Sequence, residues 1–215
     1  MTEIDDLHEL AARFVDAKYA IDDERRRIGK QSVKPSAFVE YALPYADGGS
    51  SDASVDRVES IPSELVIGAH WNTAWDELPT GSRAHDLCDR LDALADTKSE
   101  PNWAIVVRVG ALPLWYAIEG KNRVSLYRAL RRPLSAEVRV SRHPPASELM
   151  VRRGEIMDAV ARAASPLATI PLAVDGTADL LLAAGACAGP RLSATEAQRL
   201  TEHAHKREAF LETRW

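Results

Sequence analysis

"YAIEGKNRVSLYRAL", residues 116–130, joins an apolar run to a stretch of helical spacing through Glu-Gly-Lys-Asn-Arg. The run that leads into it, "LWYAI" (114–118), is short, aromatic and β-branched, and predicts a strand. After the loop, Val124, Tyr127 and Leu130, with Leu126 beside them, predict a short helix that stops before Pro133. A glycine at such a junction lets the backbone come close to a ligand, and a helix start leaves N–H groups unpaired and directed outward. The helix end carries a partial positive charge, to which Lys121 and Arg123 add two full ones, the arginine as a planar fork matched to phosphate oxygens. Asn122 is placed to cap the helix. Gly120, Lys121, Asn122 and Arg123 are therefore the candidate residues of a phosphate-binding loop.

Glu119 does not suit a pure phosphate cradle. A carboxylate there repels an anion unless it binds a metal, takes a proton or holds an arginine in place, so it is the candidate catalytic residue. Outward from the loop, "WAIVVRV" (103–109) predicts a strand, "GALP" (110–113) a tight turn into the next strand, and "AEVRV" (136–140) a strand after the helix. Ala84, Leu87, Leu91 and Leu94 share one face of a helix that Ser82 can cap. "SELVI" (63–67) reads as a strand, followed by an irregular segment in which Trp71 and Trp75 are spaced as core residues or as pocket lining. Ile4, Leu7, Ala11, Phe14 and Ile21 predict a helix over 3–27 with Gly29 near its end. "SAFVEYALP" (36–44) reads as a short strand, and "ADGGSSDAS" (46–54) as a flexible loop or linker.

Beyond His143-Pro144-Pro145, Leu149, Ile156, Met157, Val160 and Ala164 read as one face of a helix, and "DGTADLLLAAGACAG" (175–189) as a buried apolar segment. Ser193 and Glu196 form an S-x-x-E capping box for a last helix. The expected organisation is an N-terminal helix and linker over 1–54, an α+β core over 55–145 and a C-terminal helical subdomain over 146–215.

The order strand, strand, acid-Gly-x-x-Arg loop, helix, strand, together with Glu119-Gly120-Lys121-Asn122-Arg123 itself, resembles the ParB/sulfiredoxin-like superfamily over roughly Val58 to Val140. The resemblance implies a mixed sheet with helices and a loop that binds nucleotide phosphates. Members of that superfamily act as nucleotide-dependent DNA-partition proteins, free-amino-acid kinases, nucleases or sulfinic-acid reductases. Lys121 and Asn122 stand where the reductases need a Cys-His pair, which sets that redox chemistry aside. The partition proteins carry a second arginine where Asn122 stands, and a helix-turn-helix domain after the core; neither is evident here. The function implied is binding of a nucleotide or nucleic-acid phosphate in DNA transactions or their regulation, with CTP or ATP/ADP and magnesium as the cofactor. The alternatives are a nucleotide-dependent phosphotransferase or nuclease using Glu119 as base or metal ligand, and an interaction protein that kept the fold without the ligand.

The net charge of −5 over 215 residues argues against a surface basic all over, but Lys121 to Arg153 holds nine Lys and Arg against two acids. That local balance of +7 leaves −12 for the remainder of the chain. Arg128, Arg131, Arg132 and Arg139 are the candidate nucleic-acid contacts, weighed against an ordinary solvated helix face. Cys88 and Cys187, with no second ligand beside either, do not suggest a disulfide or a metal site. His203 and His205, two apart on a helix, diverge by about 200°. His143 lies beside the basic segment, within possible reach of the loop. No H-E-x-x-H, G-x-S-x-G or Walker A pattern occurs. The acidic opening "MTEIDDLHEL" and the lack of any long apolar run lead to the expectation of a cytoplasmic protein without a membrane partner, with a nucleotide, DNA and further copies of itself as candidate partners.

Overall fold

A computed structural model of the protein describes residues 3–46, 53–69, 80–96 and 104–212. The chain opens with helices α1 (Glu3–Arg27) and α2 (Pro35–Ala42), then strands β1 (Ala53–Ile61) and β2 (Val66–Ala69), separated by a 3-10 turn at Ser63–Leu65. Helix α3 (Gly81–Asp96), strands β3 (Ala104–Val109) and β4 (Trp115–Ala117), helix α4 (Lys121–Ala129) and strand β5 (Leu134–Ser141) follow. Strands β6 (Leu149–Arg152), β7 (Ala159–Arg162) and β8 (Ser165–Pro171), helix α5 (Thr177–Ala183), strand β9 (Cys187–Ala188) and helix α6 (Ala194–Glu212) complete it. The fold is α+β, with two mixed sheets.

The first sheet has the order β1-β5-β3-β4-β2. β3 lies at its centre, parallel to β5 from Ala104 opposite Ala136 to Val109 opposite Ser141, and antiparallel to β4 with Arg108 opposite Trp115. Ala104, Val106, Val107 and Val109 are all buried, the near-continuous apolar run expected of a strand covered on both faces. β5 alternates instead, with Leu134, Ala136 and Val138 buried and Ser135, Glu137 and Arg139 partly exposed. The second sheet runs β8-β7-β6-β9.

The two N-terminal helices join these sheets. α1 packs against β2 and α5, while α2 packs against β2, β4 and α6, so one apolar cluster runs through both halves. Phe14 and Phe38 meet within it at a centroid distance of 5.3 Å. α1 is further pinned by an ion pair between Lys18 and Asp22, each 4% exposed, whose carboxylate also accepts the Val33 N–H at 2.8 Å. Burial pushes the Lys18 ammonium down, and Asp22 opposes that shift.

Three expectations are corrected. "SAFVEYALP" forms helix α2 because Pro35, Phe38, Val39 and Ala42 recur at helical spacing and are all buried, which outweighs the strand propensity of single residues. Residues 146–215 contribute α5 and α6 but also the four strands of the second sheet. Leu149 and Val151 are buried while Met150 and Arg152 are partly exposed, a period of two, and the chain reverses at 163–164. Finally, β1 begins at Ala53, inside the expected linker; residues 47–52 lie outside the described residues, as do His70, Trp71 and Trp75. Gly29 does end α1 in a left-handed conformation (φ 74°). No helix among the described residues is long and apolar enough to cross a membrane.

The capping box of α6 forms as expected. The Glu196 carboxylate accepts the Ser193 N–H at 2.9 Å and pairs with Arg152 at 3.0 Å, and these contacts hold it down at about 2 against an ordinary 4.5. A carboxyl with a depressed folded-state pKa contributes stability that is present above its unfolded value and lost as pH falls through the folded one. The melting temperature of the parent should therefore drop more steeply between pH 4.5 and about 2 than that of Glu196→Gln. Parallel pH profiles for the two proteins would contradict this.

Candidate anion site at the start of α4

After β4 the backbone remains attached to β3, since the N–H groups of Ile118 and Glu119 both donate to the Ile105 carbonyl, at 2.9 and 3.2 Å. Gly120 then turns left-handed (φ 77°, ψ 28°) and becomes the N-cap of α4, its carbonyl accepting the Val124 N–H at 3.0 Å. A Cβ at Gly120 would lie 2.8 Å from the Ala104 Cβ and 2.9 Å from the Ala104 Cα. Both the dihedral and the contact with β3 demand glycine here. Gly120 was expected to admit a ligand; in the structure it is the central strand that comes close to it.

Among the described residues no side chain caps α4. Asn122, expected as the cap, sits inside the first turn because Gly120 occupies the cap position, and its Oδ1 is buried with no partner among the described residues. Lys121 is the first helical residue, and its side chain lies outside those described. Arg123 is partly buried, close enough to α3 that its charge bears on Cys88 and on Tyr127, and has no hydrogen-bond or ion-pair partner among the described residues. Glu119 is exposed and likewise unpaired among them. The unpaired N–H groups of the first turn, Glu119 and Arg123 therefore meet at one end of the helix.

The other arginines of the basic segment behave differently. Arg128 lies 4.2 Å from the Tyr19 ring centroid, donates to the Glu64 carbonyl at 2.7 Å and pairs with Asp16 at 3.2 Å. Arg132 pairs with Asp89 at 2.7 Å and Asp92 at 2.9 Å. Arg139 pairs with Glu137 at 3.2 Å along β5. Arg131 takes the left-handed position (φ 51°) just past the end of α4, followed by an Arg132 N–H bond to the Tyr127 carbonyl at 2.9 Å, and its side chain is exposed. Tyr127 donates to Asp92; burial and that bond push its phenol up, so it stays protonated.

Among the described residues no three His, Cys, Asp or Glu side chains are grouped so as to hold a metal ion. Cys88 is buried and Cys187 exposed, on separate elements. Two clefts, of about 530 and about 570 Å³, are lined without any residue of the loop. The larger contains Arg108, His143 and Arg162, which are brought together from β3, the segment after β5, and β7; nothing in their sequence spacing marks them as neighbours. His143 is thus carried to the end of β3 opposite the loop. Compared with protein-family models, curated proteins and solved structures, the chain matches none.

Gly120→Ala should lower stability by about 2–4 kcal/mol, since strain and overlap with Ala104 add. Gly176→Ala, at a similar dihedral (φ 80°) but with nothing within 4 Å of the new Cβ, should cost only about 1 kcal/mol. Equal losses in urea denaturation would remove the argument for a close contact. Arg128→Ala should cost about 2–3 kcal/mol through its stacked and charge-assisted contacts. Arg131→Ala should stay within about 0.5 kcal/mol. The reverse order in thermal melts would show that Arg128 is not an anchor.

Proposed function

We propose that the chain binds the phosphate of a nucleotide at the start of α4, as a ParB-like protein would, and that this binding serves DNA transactions or their regulation. The observation that carries the reading is the contrast between the two arginines of α4. Arg128 is held by a tyrosine ring, a carbonyl and a carboxylate, whereas Arg123, one turn from the helix start, has no partner among the described residues. An unpaired guanidinium beside unpaired helical N–H groups suits a phosphate. A small nucleotide accounts for the site better than a broad DNA surface does, because Arg128, Arg132 and Arg139 are engaged within the chain.

The test is calorimetry with CTP, ATP and ADP, with and without magnesium, on the parent, Arg123→Ala and Arg131→Ala. Arg123→Ala should weaken nucleotide binding roughly 10- to 150-fold, the equivalent of about 1.5–3 kcal/mol for a charge-assisted contact, with an unchanged melting temperature. Arg131→Ala should bind as the parent does. Equal affinity in the parent and Arg123→Ala would remove the assignment, and nucleotide turnover abolished by Glu119→Gln would assign Glu119 a catalytic role. Titrating duplex DNA against salt separates the remaining reading: log affinity falls with a slope of about −0.9 per phosphate engaged, so a slope of several units that becomes shallower in Arg131→Ala would favour a nucleic-acid surface.

A further inference from the structure

The cleft of about 530 Å³ lies where α6 packs on α2 and on the edge strand β8, and its volume is in the range of small-molecule sites. Three of its lining residues are prolines: Pro44, just past α2, and Pro166 and Pro171, near the two ends of β8. β8 tolerates them because it lies at the edge of the second sheet. Proline has no N–H, so at these three positions an apolar body can lie against the wall without stranding a backbone donor. Ile170 and Leu200 extend the apolar surface, and Thr169 adds no free donor, since its hydroxyl donates to the Pro166 carbonyl at 3.0 Å.

The wall is also stiff. Proline rings have almost no rotamer freedom to lose. The Tyr45 hydroxyl donates to the Ala168 carbonyl at 3.0 Å, and the Arg162 guanidinium lies 5.1 Å from the Tyr45 ring centroid, so that ring is fixed on two sides.

The charged residues of the cleft divide into a closed set and an open one. Arg152 uses its guanidinium within the chain, on Glu196 at 3.0 Å and on the Pro190 and Arg191 carbonyls at 3.1 and 3.5 Å. The other Glu196 oxygen accepts the N–H and the hydroxyl of Ser193, at 2.9 and 2.8 Å. That pair is neutral and needs nothing from a ligand. Arg199, one turn further along α6, lines the same cleft, is exposed, and has no hydrogen-bond or ion-pair partner among the described residues.

One open guanidinium over an apolar wall suits a monoanion with an apolar body. A second negative charge would enter the cleft unpaired, with the Glu196 carboxylate one helical turn away. A carboxylate matches the planar fork of arginine, and a flat, rigid ring loses little freedom against walls that are themselves rigid.

We propose that this cleft binds an aromatic monocarboxylate, its ring against Pro44, Pro166, Pro171 and Ile170 and its carboxylate on Arg199. No residue of the loop before α4 lines it, so the site is independent of the nucleotide reading.

The experiment titrates the full chain with 2-naphthoate, its neutral amide and octanoate, and follows the Ile170 and Leu200 methyl resonances by NMR. The naphthoate should bind more tightly than either control, and about fivefold more tightly than the amide, the upper range for an ion pair at an exposed guanidinium. Its ring current should move the methyl signals of both residues. Arg199→Gln, at an exposed and unpaired side chain, should melt with the parent and bring the naphthoate down to the level of the amide. Arg131→Gln, an exposed arginine outside the cleft, should leave every affinity as in the parent. Absence of naphthoate binding, equal affinity for the amide, octanoate bound as tightly, or methyl resonances unmoved at saturation would each overturn the proposal. So would a preference for the carboxylate that survives Arg199→Gln, or one lost equally in Arg131→Gln.

Discussion

The guanidinium of Arg128 is the contact on which the orientation of α4 depends. It lies over the Tyr19 ring of α1, donates to the Glu64 carbonyl in the turn before β2, and pairs with Asp16. Three elements far apart in sequence are thereby fixed to one another through a single side chain that is only 22% exposed. On its other flank α4 is tied to α3 by Tyr127, which donates to Asp92, and by Arg132, which bridges Asp89 and Asp92. A helix held on two sides is fixed in direction, and so are its first N–H groups.

β3 supplies the complementary constraint. Its central place in the first sheet, with β5 on one side and β4 on the other, buries it and makes it a rigid rod with a close glycine contact at each end. At one end Ala104 lies against Gly120 and excludes any larger residue. At the other the turn through Gly110 presses on His143. Both contacts bring backbone close to backbone or Cβ, and each leaves positively charged side chains at the sheet end it defines.

The positive charge of residues 121–153 divides according to what surrounds each arginine. Where acids of α1 and α3 lie opposite, as at Arg128 and Arg132, the charge is neutralised and serves cohesion. Where no acid among the described residues lies opposite, as at Arg123, charge is left to face the helix start.

The local sequence was enough to establish the helix over 3–27, the strands at 104–109, 115–117 and 134–141, the helix that follows the loop, and the capping box at Ser193–Glu196. Each rests on interactions within a few residues: periodic burial, a cap, a proline stop. Gly120 was legible as a residue that lets the backbone come close to a neighbour, but its left-handed turn and its contact with Ala104 are read from the structure alone. Three things were decided only by tertiary structure. Whether 36–44 and 149–164 become helix or strand depended on which neighbours could cover their apolar residues, and α2 and the second sheet are the outcome. Which arginines remain available depended on acids brought opposite them from α1 and α3. Joining His143 to Arg108, Arg162 and Tyr45 required two sheets to meet, because hydrogen bonding between strands unites residues that the order of the chain keeps far apart.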